Sequence, residues 1–122
     1  MPERTTIEIG KSLEECIVNV FSKLGFEASK EKVRGRSGVK HEIDVLARKD
    51  LEGLTFKAGV ECKNWKNTVG KDVVERYITR WLDCGLNMYI VVARAFTEDA
   101  KRMAKAWGLM PIELVNRQEK IT

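Results

Sequence analysis

Met88-Tyr89-Ile90-Val91-Val92-Ala93 is an unbroken apolar run of strand length, and a strand without a polar face must be covered on both sides. The chain therefore has to supply helices for two faces of one sheet. Three stretches have the required periodicity. Over residues 6–24, Ile9, Leu13, Cys16, Ile17, Val20, Phe21 and Leu24 recur at steps of three and four, and Gly25 follows as a stop. This predicts a first helix with one buried stripe. Val69, Val73, Val74, Tyr77, Ile78, Trp81 and Leu82 predict a second helix that closes near Gly85. Thr97 is placed to cap a third, with Glu98 and Asp99 in its first turn, Ala100, Met103, Ala104 and Trp107 as its apolar residues, and Gly108 and Pro111 beyond it. Trp81 and Trp107 lie on these stripes and are expected in the core. Residues 26–34 read as a polar strand, 41–48 and 54–65 as the arms of a hairpin turning at Asp50-Leu51-Glu52-Gly53-Leu54, and 112–115 as a last short strand. The order α, β, β, β, α, β, α, β predicts an α/β sandwich with a mixed sheet flanked by helices.

At 122 residues, 43% hydrophobic and 33% charged, the chain suits one compact domain over residues 1–122. No apolar run nears the roughly 20 residues that cross a bilayer, and the N-terminus lacks a basic segment, an apolar stretch and a cleavage site. The expectation is a soluble cytoplasmic protein with no membrane partner. Cys16, Cys62 and Cys84 are odd in number and widely spaced, which argues against a disulfide framework or structural zinc; they read as small buried residues. A net charge of +4 and a pI near 9.0 permit a nucleic-acid partner without demanding one.

The chemistry resides in carboxylates. Folding the hairpin between Glu52 and Gly53 sets residue 44 opposite residue 61, with side chains roughly 5 Å apart if no bulge intervenes. Strand alternation sends Glu61 and Lys63 to one face and Cys62 to the other. Asp44 stands among Ile43, Val45 and Leu46, where an aspartate needs a partner; a metal would serve, or Lys63 in a salt bridge across the hairpin. Glu14 lies near Ile17 and Phe21 at the edge of the first helix's apolar stripe, and Glu15 on the solvated side, so Glu14 is the candidate ligand and otherwise a surface acid. Glu42 shares the Asp44 face, where it is a further candidate ligand or, the favoured reading, a solvent-exposed neighbour nearer the strand end. Clustered hard oxygen donors favour Mg²⁺ or Mn²⁺. Asp44, Glu61, Glu14 and the Cys62 backbone carbonyl are the expected ligands, and Lys63 is expected to hold or help deprotonate an attacking water and to stabilise developing charge, as phosphodiester hydrolysis requires.

Lys30, Lys32, Arg34 and Arg36 alternate with other residues, so a strand there would show four cations on one face at roughly 6.6 Å intervals. A row of that kind suits a phosphate backbone, and equally a protected edge strand. The loop Arg34-Gly35-Arg36-Ser37-Gly38, with Lys40, continues it towards Asp44. Lys66 beside Trp65, and Lys71 at the start of the second helix, are further candidates for DNA contact. His41, the single histidine, reads as structural.

These residues resemble the PD-(D/E)xK, or restriction-endonuclease-like, nuclease superfamily. Gly10 and Glu14 followed by Leu24-Gly25-Phe26, then Glu42-Ile43-Asp44-Val45-Leu46-Ala47, Glu61-Cys62-Lys63-Asn64-Trp65 and Phe96-Thr97-Glu98-Asp99-Ala100, resemble its Mrr-like branch and the archaeal Holliday-junction resolvases. The resemblance spans nearly the whole chain. It implies an αβββαβ core, Glu14, Asp44 and Glu61 as metal ligands, Lys63 as the catalytic lysine, and DNA cut with Mg²⁺. Ile43 stands where the proline that names the superfamily falls, the separate recognition domain usual in Mrr-like enzymes is not within these residues, and Ser37 is the candidate counterpart of the serine in the resolvase loop. The expected activity is that of a metal-dependent endodeoxyribonuclease, structure-specific in the manner of a junction resolvase, acting as a homodimer because paired cuts need two sites related by a two-fold axis. Two other readings stay open: an Mrr-type restriction or repair nuclease subunit that takes recognition from a partner protein, and a non-catalytic nucleic-acid-binding module on the same fold.

Overall fold

Alternation and turn chemistry build the sheet. The computed structural model describes residues 6–63 and 66–114. Helix α1 (Thr6–Lys23) is followed by strands β1 (Glu27–Arg34), β2 (Lys40–Leu51) and β3 (Leu54–Cys62), a short β4 (Thr68–Val69), helix α2 (Lys71–Cys84), β5 (Met88–Ala93), β6 (Ala95–Phe96), helix α3 (Glu98–Trp107) and β7 (Met110–Glu113). The β2–β3 hairpin turns where the sequence places it. Glu52 (φ 50°) and Gly53 (φ 84°) are both left-handed, the two-residue turn that matches strand twist, and Leu51 pairs with Leu54.

The main sheet has the order β1-β2-β3-β5-β7, antiparallel through β1, β2 and β3 and parallel from β3 to β5 and β7. It is the mixed sheet that the element order predicts. The apolar run of β5 is buried on both faces: Ile90 and Val92 pack with Val45, Val60 and α1, while Tyr89, Val91 and Ala93 join α2 and α3. Fully burying a residue such as Val45 or Val91 contributes about 2 kcal/mol each, so the sheet is held from both sides.

Several expectations are corrected. In α1 the inward residues are Leu13, Ile17, Val18 and Phe21, whereas Cys16, Val20 and Leu24 are exposed. Its buried face is therefore centred towards positions 14 and 18 and packs on residues of β1, β2, β3 and β5. Cys16 is exposed and Cys62 and Cys84 are only partly buried, so the cysteines are not uniformly core residues. Val69 belongs to β4, which pairs in parallel with β6 in a small second sheet that periodicity did not reveal. Trp81 is partly buried, its indole N–H donating to the Leu86 carbonyl at 2.6 Å, but Trp107 and Leu82 are exposed. Helix α3 buries only small residues, Ala100 and Ala104, and Trp107 closes it on the solvent side. Thr97 caps α3 by accepting the Ala100 N–H at 3.1 Å, as expected. Strand β7 begins two residues earlier than expected, with Pro111 at the sheet edge, where no outward N–H is needed; Val115 lies outside the described residues. Among the described residues no helix is long and apolar enough to cross a membrane.

Candidate active site

The site forms where two regular ladders break. Ser29 pairs with Leu46 but Glu31 pairs with Ile43, so β2 carries one extra residue opposite Lys30, a β-bulge. Ile43 therefore packs on the α2 side of the sheet and Val45 on the α1 side, although their spacing alone would put them together. Between them, Asp44 lines a cleft of about 260 Å³ with Glu14, Glu15, Val18, Asn19 and Lys30.

The β2–β3 ladder pairs Val45 with Val60, which brings Asp44 and Glu61 opposite each other, as the turn position predicts. At that pair side chains replace backbone partners. The Asp44 N–H donates to Glu61 Oε1 at 3.2 Å, and the Cys62 N–H donates to Asp44 Oδ2 at 2.8 Å. Each carboxylate satisfies an amide that the opened ladder would leave unpaired.

Glu61 is 1% exposed, the one buried charged residue in the core among those described. Its Oε2 accepts from the Arg80 guanidinium and the Tyr89 hydroxyl. Burial pushes its carboxyl above the ordinary value, the Tyr89 hydrogen bond draws it back, and the Asp44 charge raises it again. The Cys62 thiol is pushed up to about 12 by burial and by the Asp44, Glu14 and Glu61 charges, which leaves it neutral and unsuited to act as a thiolate ligand. Lys63 shares the Glu61 face: its N–H donates to the Val92 carbonyl at 2.9 Å, and its Nζ lies 5.9 Å from the Tyr77 ring centre. The Arg80 guanidinium lies 5.3 Å from the same ring. The salt bridge between Asp44 and Lys63 that sequence reasoning held open is not formed, and Asp44 bonds the Cys62 amide instead.

Glu14 is partly buried and Glu15 exposed, the division that the helical angles predict. Burial, then the Asp44 charge, pushes the Glu14 carboxyl above its ordinary value, with Lys30 opposing. Glu14 and Asp44 thus present hard oxygens to one cleft, a donor set that a divalent cation would relieve. Among the described residues no three His, Cys, Asp or Glu side chains converge to hold a metal, and Glu61 is turned towards Arg80 and Tyr89. The oxygen chemistry of Glu14 and Asp44 fits Mg²⁺ or Mn²⁺, and Glu61 would have to change partners to join them.

Of the cations, Lys30, Lys32 and Arg34 share the β1 face of Ala28, on the α1 side. Arg36 lies beyond the end of β1, so the expected row of four is a row of three. Lys30 pairs with exposed Glu42 at 3.4 Å, and Arg34 donates to the Gly38 carbonyl at 3.0 Å. Ser37 is held rather than free: its hydroxyl donates to Asp83 Oδ2 at 2.7 Å and its N–H to Oδ1 at 2.8 Å, while His41 Nε2 meets Oδ2 at 2.8 Å, a structural role for the histidine as expected. Lys40, Lys66 and Lys71 are exposed, and Trp65 lies outside the described residues. Arg80, Tyr89 and Asp83 were missed by sequence reasoning. Arg80 was detectable as a cation three residues beyond Tyr77 on the inward stripe of α2; Tyr89 was hidden inside an apolar run.

A family model described as "Restriction endonuclease", Mrr_cat, matches residues 8–121. The chain belongs to the Mrr_cat restriction endonuclease family. Glu14, Asp44, Glu61 and Lys63 all fall inside the matched span. No curated protein matches the chain. Among solved structures the chain resembles a protein of unknown function, AF1548 (TM-score 0.66, 24% identity, 81% of this chain and 55% of that one). It also resembles a repair endonuclease from Pyrococcus abyssi (TM-score 0.57, 24% identity, 93% and 48%) and the DNA modification-dependent restriction endonuclease AspBHI (TM-score 0.51, 19% identity, 87% and 28%). At these identities the likeness is one of fold, and it confirms the restriction-endonuclease-like architecture of this Mrr_cat chain. The chain spans 55% or less of the length of each of these proteins.

Proposed function

We propose that this Mrr_cat chain is a metal-dependent endodeoxyribonuclease that hydrolyses DNA phosphodiester bonds. The observation that carries the reading is the opening of the β2–β3 ladder, where Asp44 lines the Glu14 cleft and Glu61, with Lys63 on its face, is hydrogen-bonded to the Asp44 amide. Glu14, Asp44, the Cys62 backbone carbonyl and, after repartnering, Glu61 would hold Mg²⁺ or Mn²⁺. The bound ion would supply Lewis-acid polarisation of a phosphoryl oxygen and a more acidic water. Lys63, on the Glu61 face, orients the attacking water and offsets negative charge as it develops on the phosphate. Lys30, Lys32 and Arg34 face the same side as Glu14 and bind the backbone, with Arg36, Lys40, Lys66 and Lys71 extending the contact. Ser37 contributes through the loop it fixes. A homodimer would place two such sites on opposite strands, and a four-way junction is the favoured structured substrate.

The test is cleavage of labelled four-way junction, linear duplex, flap and single-stranded DNA with Mg²⁺, Mn²⁺ or EDTA, with sedimentation of the protein–DNA complex alongside. Metal-dependent cutting is expected, falling at least about 100-fold in Asp44→Ala, Glu61→Ala and Lys63→Ala. A complex that sediments with one protomer would remove the homodimer. One observation favours a second reading, a non-catalytic binding module: Glu61 is already fully partnered by Arg80, Tyr89 and the Asp44 amide. That reading requires binding without cutting of any substrate, unchanged in Lys63→Ala. A need for an added partner protein before any cutting would identify a nuclease subunit.

A further inference from the structure

The Glu61 carboxylate is held on the α2 side of the sheet while the cleft that would receive a metal opens on the α1 side. Both of its oxygens are taken, Oε1 by the Asp44 amide and Oε2 by Arg80 and Tyr89. A buried carboxylate needs such compensation, and a divalent cation would supply the same compensation as a guanidinium. The two partners of this pair differ in freedom. The Glu61 side chain is 2% exposed, whereas that of Arg80 is 32% exposed, with a further long contact of 3.5 Å to the Glu42 carbonyl and the Tyr77 ring beneath it. Arg80 has room to withdraw towards solvent, and Glu61 has room only to turn between its partners.

We propose that Arg80 is a positioning residue acting through Glu61: with Tyr89 it forms a latch that occupies the carboxylate in the metal-free protein and must yield before Glu61 can join an ion held at Glu14 and Asp44. The latch rests on the nuclease reading above for its purpose, but its own consequence is a matter of binding. Protein in the latched state does not offer its third carboxylate, so the apparent affinity for the ion is reduced by the fraction that is latched. Removing the latch strengthens metal binding, whereas removing a residue that merely supports the site would weaken it.

The experiment is calorimetric titration of Mn²⁺ into wild type, Arg80→Gln, Arg80→Lys, Tyr89→Phe, Glu61→Gln and the Glu61→Gln/Arg80→Gln double variant, each checked for folding by thermal melting. Arg80→Gln is expected to bind Mn²⁺ about fivefold more tightly. Tyr89→Phe should shift the same way by less, and Arg80→Lys, which keeps the charge, should return most of the wild-type value. In the Glu61→Gln background, Arg80→Gln should change nothing, since the coupling runs through that carboxylate. Equal or weaker binding by folded Arg80→Gln, a gain that persists without Glu61, or no Mn²⁺ binding by any variant would each overturn the latch. If Arg80→Gln fails to fold, unchanged or weaker binding by Tyr89→Phe overturns it. Cleavage is scored separately: tighter binding with no cutting by wild type at saturating Mn²⁺ leaves the latch standing and removes the nuclease reading.

Discussion

A methyl group added at Gly59 would sit 2.7 Å from Leu86 Cδ1 and 2.7 Å from Tyr89 Cε1, closer than carbon atoms tolerate. Gly59 is a glycine in mid-strand because the Tyr89 ring lies over it, and that ring carries the hydroxyl bonded to Glu61. Gly59→Ala is thus expected to cost about 2 kcal/mol of stability and, because the displaced ring no longer holds Glu61, to bind Mn²⁺ more tightly. Chemical denaturation and calorimetric titration of Mn²⁺ measure the two effects, and a stable variant with wild-type Mn²⁺ affinity would show that Tyr89 does not position Glu61. Residues at this scale were legible where a simple period governs them. Glu61 and Lys63 share a face by strand alternation, and Asp44 meets Glu61 because a two-residue turn fixes the register. Arg80 and Tyr89 were not legible, since their contact with Glu61 joins α2, β5 and β3 across long separations in sequence and no local pattern encodes it.

At the scale of elements, the deciding device is the bulge in β2, and alternation cannot show it, because one extra residue reverses the pattern that a reader would extrapolate. It aims Asp44 at the α1 cleft while Ile43 stays in the opposite core. The same limit applies to β4 and β6, two residues each and too short for any period. A second device joins elements that the sequence reading kept apart. Asp83, near the end of α2, accepts from Ser37 and meets His41, so the basic turn between β1 and β2 is clasped to the helix that carries Arg80. Gly35 permits this approach, since a Cβ there would lie 1.9 Å from Asp83 Oδ2. The hydrogen bond with His41, then those with Ser37, hold the Asp83 carboxyl below its ordinary value of 3.8. A carboxyl depressed in the folded state stabilises the protein fully above the unfolded value, and that contribution is lost as pH falls through the folded value. Asp83→Asn should therefore melt several degrees below wild type near neutral pH, and the gap should close as the medium is acidified below pH 3.8. Thermal melts across that range test it, and a gap that stays constant with pH would mean that the ionised form is not what the clasp uses.

For the whole molecule, what matters is where the charge falls. A net charge of +4 spread evenly would attract DNA weakly and at no particular place. Here Lys30, Lys32 and Arg34 stand on the α1 side of an edge strand, beside the cleft lined by Glu14 and Asp44, so the acidic site is bordered by cations that a phosphate backbone would meet first. Of these, Lys30 is already engaged by Glu42, with the Glu14 charge also acting on it, which leaves Lys32 and Arg34 as the pair whose loss should be felt in binding rather than in the site. Each phosphate contact contributes about 0.9 to the slope of log affinity against log salt, so Lys32→Ala with Arg34→Ala should reduce that slope by about 2. The weakening should be nearly uniform among junction, duplex and flap, because contacts to the backbone carry register and not sequence. Fluorescence anisotropy from low to physiological salt, in EDTA to prevent cutting, measures both quantities. A slope equal to that of wild type would place the DNA elsewhere on the protein, while a loss confined to the junction would make this edge strand a reader of DNA structure.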